Sequence, residues 1–128
     1  MRLLLDTHAL IWWWANDTHL PTRMRAEMAD QANEIYASAA SGWEIATKVR
    51  SGRLPEMTKR ITQFDQGVTE DGFRHLDVRH DHGVRAGLMS GEHRDPFDRV
   101  LAAQALIEGL TVISRDPAFA AFGCDVIW

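Results

Sequence analysis

Three consecutive leucines, Leu3-Leu4-Leu5, lead into a polar turn, Asp6-Thr7-His8, and then into a run rich in large apolar residues from Ala9 to Ala15. A short apolar run bounded by a turn is the pattern of a buried strand, and the spacing after it predicts a helix. The unit then repeats in kind. Residues 34–38, Glu-Ile-Tyr-Ala-Ser, predict a second strand, and Ser41 to Arg50 return to helical spacing through Trp43, Ile45, Ala46 and Val49. Further strands are expected at Phe73–Val78, Leu110–Ser114 and Cys124–Ile127. Helical stretches are expected at 56–69, 80–89 and 96–108, bounded by Gly52 with Pro55, Gly72, Gly91 and Gly109. Alternation of short apolar strands with helices predicts a parallel sheet covered on both faces, because each parallel crossover needs a helix-length connection.

The 128 residues suit one domain spanning 1–128, and no repeat, low-complexity segment or linker divides them. The one cysteine, Cys124, allows no intrachain disulfide and no thiolate cluster, which suits a reducing cytoplasm. Three leucines are too few for a signal-peptide core, and no apolar run approaches the roughly 20 residues of a membrane span. The expectation is a soluble cytoplasmic protein. A formal net charge of -4 argues against broad electrostatic attraction to nucleic acid. The acids therefore need a purpose of their own.

In an open parallel sheet, ligands bind outside the carboxyl ends of the strands. Asp6 ends the first predicted strand, Glu44 lies in the first turns of the helix after the second, and Asp116 follows the fourth. Asp95 and Asp98 open the helix leading into that fourth strand and so begin at the same edge. Carboxylates brought together repel one another, and protonation, basic partners or a bound cation must compensate. Oxygen donors without cysteine or an H-E-x-x-H pattern favour Mg²⁺, with Mn²⁺ able to substitute, over zinc. Such an ion activates water and neutralises charge developing on a phosphate, so phosphodiester hydrolysis is the natural expectation.

Four segments also resemble the ordered acidic motifs of VapC-type PIN domains. They are Leu3-Leu4-Leu5-Asp6-Thr7-His8-Ala9-Leu10, Ser41-Gly42-Trp43-Glu44-Ile45-Ala46, His93-Arg94-Asp95-Pro96-Phe97-Asp98-Arg99 and Val112-Ile113-Ser114-Arg115-Asp116. The resemblance implies a three-layer α/β/α sandwich around a central, mostly parallel sheet of four to five strands. It also implies a Mg²⁺-dependent endoribonuclease, the toxin of a type II toxin–antitoxin system, that forms a homodimer and is inhibited by a cognate antitoxin. By motif position Asp6, Glu44 and Asp98 correspond to the family's principal acids, and Asp116 to its more variable fourth. These four are the candidate catalytic and metal-binding residues, with Asp95 secondary. Ser114 stands where many relatives carry threonine and keeps the hydroxyl.

Each acid has a plainer reading as well. Ser41-Gly42-Trp43-Glu44 fits a capping box, in which Glu44 satisfies a backbone donor at a helix start. Asp95-Pro96 and Asp116-Pro117 read as an N-cap followed by proline at the first helical position. Capping is the better reading for Asp95. For Glu44, Asp98 and Asp116 capping and catalysis are compatible, and for Asp6 function ranks ahead of capping. Lys48, Arg94, Arg99 and Arg115 lie close to the acids in sequence, and Arg94 and Arg115 are the candidate RNA contacts. Trp12-Trp13-Trp14 cannot form one stacking platform, since successive helical residues point in different directions. Trp43 is expected in packing.

Two rival chemistries are weaker. A metal-free ribonuclease would use two histidines as general acid and base, but His80 and His82 share a face poorly, and His8 and His93 are merely near the acids in sequence. An aspartyl-phosphate phosphatase would need an acid two residues after Asp6, where His8 stands. The non-enzymatic alternative is a degenerate PIN scaffold, which would usually lack one or more of the acids present here.

Overall fold

A computed structural model describes residues 1–128. Five strands, β1 (Arg2–Leu5), β2 (Glu34–Ser38), β3 (Arg74–Leu76), β4 (Thr111–Ile113) and β5 (Val126–Ile127), form one sheet in the order β3-β2-β1-β4-β5. Every pairing is parallel, and Leu4 is in register with Tyr36 on one side and Val112 on the other. From β1 the chain winds outward to β2 and β3, then returns to the other side of β1 for β4 and β5. The strand order thus reverses between β1 and β4, and a crevice opens beyond their carboxyl ends.

Helices cover both faces. They are α1 (Thr7–Trp14), α2 (Thr22–Ala29), α3 (Ala39–Arg50), α4 (Thr58–Ile61), α5 (Phe64–Glu70), α6 (His80–Leu88), α7 (Pro96–Glu108) and α8 (Pro117–Ala121). Alternation along β1 sends Leu3 and Leu5 into one core, with Leu10 of α1, Met24 and Met28 of α2 and Val68 of α5. Leu4 enters the other core, with Leu101, Ala102 and Ala105 of α7 and Phe119 of α8. The leucine triplet is fully buried, each residue contributing about 1.5–3 kcal/mol of hydrophobic stabilisation. The expected parallel sheet between two helical layers is therefore present, with five strands and no antiparallel pair.

Two stretches depart from the sequence expectation. Helix α2 was not anticipated, because its apolar stripe is little more than Met24 and Met28 one turn apart. The single helix expected over 56–69 is instead a 3-10 turn at Pro55–Met57 followed by α4 and α5. Thr58 Oγ1 donates to the Pro55 carbonyl at 2.7 Å and Thr62 Oγ1 to the Lys59 carbonyl at 2.8 Å. Such side-chain bonds compete with the helical ladder and favour breaks of this kind. Helix α7 stops where expected, at Gly109, whose φ of 67° is the left-handed conformation that glycine adopts without a Cβ penalty.

Candidate metal centre at the carboxyl edge of the sheet

Strand β1 delivers Asp6 to the crevice. Its backbone N–H extends the ladder to the Ile113 carbonyl at 3.1 Å, and its side chain turns back to cap α1. Oδ1 accepts from Ala9 N at 2.7 Å, and Oδ2 accepts from the Ser114 hydroxyl. The residue therefore caps its helix, the reading that ranks second from sequence alone, and retains lone pairs on both oxygens. Burial raises its pKa, opposed by the Ser114 and Ala9 hydrogen bonds, while Glu44 adds a smaller like-charge increment. Ser114 Oγ also accepts from Asp116 N at 3.0 Å, so one hydroxyl ties the end of β1 to the start of α8.

The capping-box reading of Glu44 is wrong. Ser38, not Ser41, caps α3: its hydroxyl accepts from Ala40 N at 3.0 Å, and the helix begins at Ala39. Ser41 instead shares a buried hydrogen bond of 3.0 Å with Thr7, and Glu44 falls in the second turn, too far along to reach the cap. A buried glutamate remains there, 2% exposed. Its Oε2 pairs with Lys48 Nζ at 2.6 Å, one turn on along the same helix. Its Oε1 is buried without any hydrogen-bond partner. An ionised oxygen left bare in low dielectric is costly unless a cation completes it.

Helix α7 starts at the same edge. Asp95 Oδ1 accepts from Phe97 N at 2.9 Å and Asp98 N at 3.3 Å, the geometry of an N-cap, with Pro96 at the first helical position. Asp98, three residues on, keeps its carboxylate clear of the cap. Burial lifts its pKa to about 6 against a lowering hydrogen bond from His93, with Asp95, Glu44 and Asp116 each adding like charge. Asp116 caps α8 through Ala118 N at 2.9 Å. One donor atom from each of His93, Asp98 and Asp116 lies within 4.8 Å of the other two. Asp6 is linked to this trio through Ser114, and Glu44 by its field at both Asp6 and Asp98.

The basic and aromatic neighbours sort by position. Arg99 is structural: Nε donates to the Ala86 carbonyl at 3.0 Å, Nη1 to the His93 carbonyl at 3.0 Å and Nη2 to the Met89 carbonyl, clasping the α6–α7 loop. Arg115 is exposed and lies over the Trp12 ring, 4.7 Å from its centroid, beside a cavity of about 340 Å³ lined by Asp6, His8 and Asp116. Arg94 is exposed on a polar cleft that also includes His93 and Arg99. Trp13 and Trp14 both donate their indole N–H to Asp71 Oδ2, at 3.1 and 2.7 Å, so neither serves stacking. Trp43, expected in packing, is 61% exposed, although its ring meets Phe97 edge-on at 4.7 Å.

The histidines divide sharply. His82 is fully buried, with Nε2 2.9 Å from Glu108 Oε1 at the far end of α7, and His80 is exposed. Neither belongs to the acidic edge, so they cannot form a catalytic pair there. His93, by contrast, places Nε2 2.9 Å from Asp98 Oδ2. Its sequence position three residues before Pro96 is the one signal that could have placed it beside the start of α7.

Among solved structures, the VapBC2 complex of Rickettsia felis bound to a promoter DNA fragment resembles the chain with a TM-score of 0.72 at 14% identity, covering 99% of this chain and 98% of the other. FitAcB of Neisseria gonorrhoeae gives 0.69 at 20% identity, over 98% and 96% of the two chains. VapC20 of Mycobacterium tuberculosis, described as a sarcin–ricin loop cleaving toxin, gives 0.70 at 16% identity, over 95% of each. No curated protein matches the sequence at a significant level. At these identities the structures establish a shared fold. The family follows from the sequence itself: residues 3–123 match the PIN domain, and the chain belongs to the PIN-domain family.

Proposed function

We propose that the protein is a divalent-metal-dependent endoribonuclease acting as the toxin of a type II toxin–antitoxin pair, with Asp6, Glu44, Asp98 and Asp116 as its acidic centre. The observation that carries this reading is the buried, unpartnered Oε1 of Glu44 beside three further carboxylates, with Lys48 the one cation bonded to any of the four. The donor set fits a divalent ion, since its oxygens converge on one edge and one of them lacks any other partner. Asp6, Glu44, Asp98 and Asp116 would hold the ion. When bound, the ion supplies activation of water and neutralisation of charge on the scissile phosphate, which is Mg²⁺ chemistry in which Mn²⁺ can substitute.

The chain's own groups prepare this centre. Ser114 holds the Asp6 carboxylate in one orientation, and Lys48 holds Glu44 by one oxygen and leaves the other buried and unpartnered. Asp98 stands in the first turn of α7, where the helix dipole favours its ionised form when a positive charge arrives. Arg94 and Arg115, exposed near the acidic edge, would bind the phosphates flanking the cleaved bond through their planar donors. RNA as substrate is supported by the resemblance to a toxin described as cleaving the sarcin–ricin loop, and the antitoxin by the toxin–antitoxin complexes among the structural relatives. The proposed site of action is the cytoplasm, where such a toxin would meet its RNA; no helix is long and apolar enough to cross a membrane.

Purified protein freed of any partner should cleave RNA with Mg²⁺ or Mn²⁺, stop on addition of EDTA, and leave 5′-phosphate and 3′-hydroxyl ends. Undiminished cleavage in EDTA with 2′,3′-cyclic phosphate ends would replace the metal reading with a nucleophilic 2′-hydroxyl mechanism. The toxin role has its own check. Expression alone should slow bacterial growth, and co-expression of the antitoxin should restore it, whereas a soluble, folded and harmless protein would remove this role.

A further inference from the structure

His93 sits half-buried on the loop between α6 and α7, and the sequence there says only that it lies near the acids. The fold changes that. Its Nε2 lies 2.9 Å from Asp98 Oδ2, and the His93, Asp98 and Asp116 donor atoms lie within 4.8 Å of one another. Two ligands bonded to one first-row ion at about 2.0–2.2 Å stand about 3 Å apart when adjacent and about 4 Å when opposite, so this spacing needs little adjustment.

The ring is also held. Arg99 Nη1 anchors the His93 carbonyl at 3.0 Å, and Phe122 packs edge-on against the imidazole at a centroid distance of 5.8 Å. The side chain is about one-third exposed, so an ion can reach it from solvent. Independently, the buried and unpartnered Oε1 of Glu44 lies within electrostatic reach of Asp98 and marks the same region as short of a cation.

We propose that His93 is a direct ligand, making the centre a mixed imidazole–carboxylate site that selects a first-row transition ion over Mg²⁺. This rests on the reading of the acidic edge as a metal site but goes beyond it. Mg²⁺ is a hard ion that prefers oxygen donors and keeps its water, whereas imidazole nitrogen suits iron, nickel and zinc. Mn²⁺ also favours oxygen, but it is less rigid in its demands than Mg²⁺ and accepts a nitrogen more readily. One nitrogen among carboxylates therefore shifts the preference without excluding Mg²⁺. One proton lies between Nε2 and Asp98 Oδ2; an arriving ion displaces it to solvent, and both atoms become donors to the ion.

MnCl₂ is the probe, titrated into the full chain and followed by electron paramagnetic resonance, with pulsed measurement of spin-echo modulation from directly bonded ¹⁴N. Wild type should show the ¹⁴N modulation. His93→Gln should lose it and bind Mn²⁺ about tenfold or more weakly, while Mg²⁺ affinity, read by competition, changes far less. His8→Gln, which alters the other histidine beside the acids, should keep the signal. Bound Mn²⁺ without ¹⁴N modulation, a signal that follows His8 instead, equal losses of Mn²⁺ and Mg²⁺ affinity, or no Mn²⁺ binding would each overturn the assignment. Should His93→Gln fail to fold, the wild-type and His8→Gln spectra still decide it. Cleavage assays separate the two readings: ¹⁴N-ligated Mn²⁺ without RNA cleavage sinks the nuclease and spares the ligand, and cleavage with purely oxygen-ligated Mn²⁺ does the reverse.

Discussion

Asp95 and Asp98 stand three residues apart at the start of one helix, yet the structure gives them different work. Asp95 spends Oδ1 on two backbone N–H groups, so Asp95→Ala should lower stability by about 1 kcal/mol and leave substantial cleavage at temperatures where the fold persists. Asp98 is free of the cap, and Asp98→Asn should reduce cleavage by roughly a hundredfold or more, in line with the several kcal/mol of charge stabilisation a metal centre contributes. Its stability effect has the opposite sign. A carboxyl raised to about 6 by burial favours the native state when protonated, a contribution complete below the unfolded pKa of 3.8 and lost as pH climbs through 6. At pH 7.5 the metal-free protein therefore carries a disfavoured charge that asparagine removes. After discounting for solvent screening this is about 1 kcal/mol, or roughly 4 °C in Tm. Thermal melts at pH 7.5 and pH 4 check it, since most of the gain should be lost at the lower pH, close to the unfolded pKa. An inactive but folded Asp95→Ala beside an active Asp98→Asn would exchange the two assignments.

At the scale of elements, the site depends on how α3 meets α7. Ser38 Oγ donates to Gln104 Oε1 at 2.6 Å while accepting from Ala40 N, and Gln104 Nε2 donates to the Asp77 carbonyl at 3.1 Å. This buried relay ties the cap of α3 and the end of β3 to the middle of α7, and with them the helices bearing Glu44 and Asp98. Gln104→Ala should cost about 2 kcal/mol by leaving buried polar groups unpaired, lowering the urea midpoint. It should also weaken metal binding although residue 104 touches no candidate ligand. A variant with reduced stability but undiminished Mn²⁺ affinity would show that α3 and α7 are aligned by their apolar packing alone.

For the whole molecule, a net charge of -4 means that the proposed attraction for RNA has to be local, and the exposed Arg94 and Arg115 at the acidic edge are its proposed source. The homodimer that the family resemblance implies would find an apolar patch on α6, where Val84 and Leu88, one turn apart, are 61% and 80% exposed. Leu88→Lys should shift the protein toward monomer in sedimentation equilibrium while leaving the monomer's melting behaviour nearly unchanged, because an exposed side chain adds little to the core. An unaltered dimer would place the contact elsewhere.

Much of this was legible along the chain, because hydrophobic periodicity records how each element meets its own core. Leu3-Leu4-Leu5 specified a strand buried on both faces, Gly109 and Pro96 specified where α7 ends and begins, and Asp6 and Asp116 could be placed just beyond strands. Periodicity does not say which elements are neighbours. That β1 lies between β2 and β4, joining Asp6 to Asp116 through Ser114, follows from the sheet order. The same limit hid the true role of Ser41, whose hydroxyl meets Thr7 across 34 residues, and made Glu44 read as a cap. It hid Asp71, which accepts from two tryptophans more than fifty residues away. The pairing of His93 with Asp98 is only five residues long, but it depends on a loop path that Arg99 fixes by reaching back to three carbonyls. Local spacing determined the layers and the edge on which the acids gather, and only tertiary packing decided which donors share one point in space.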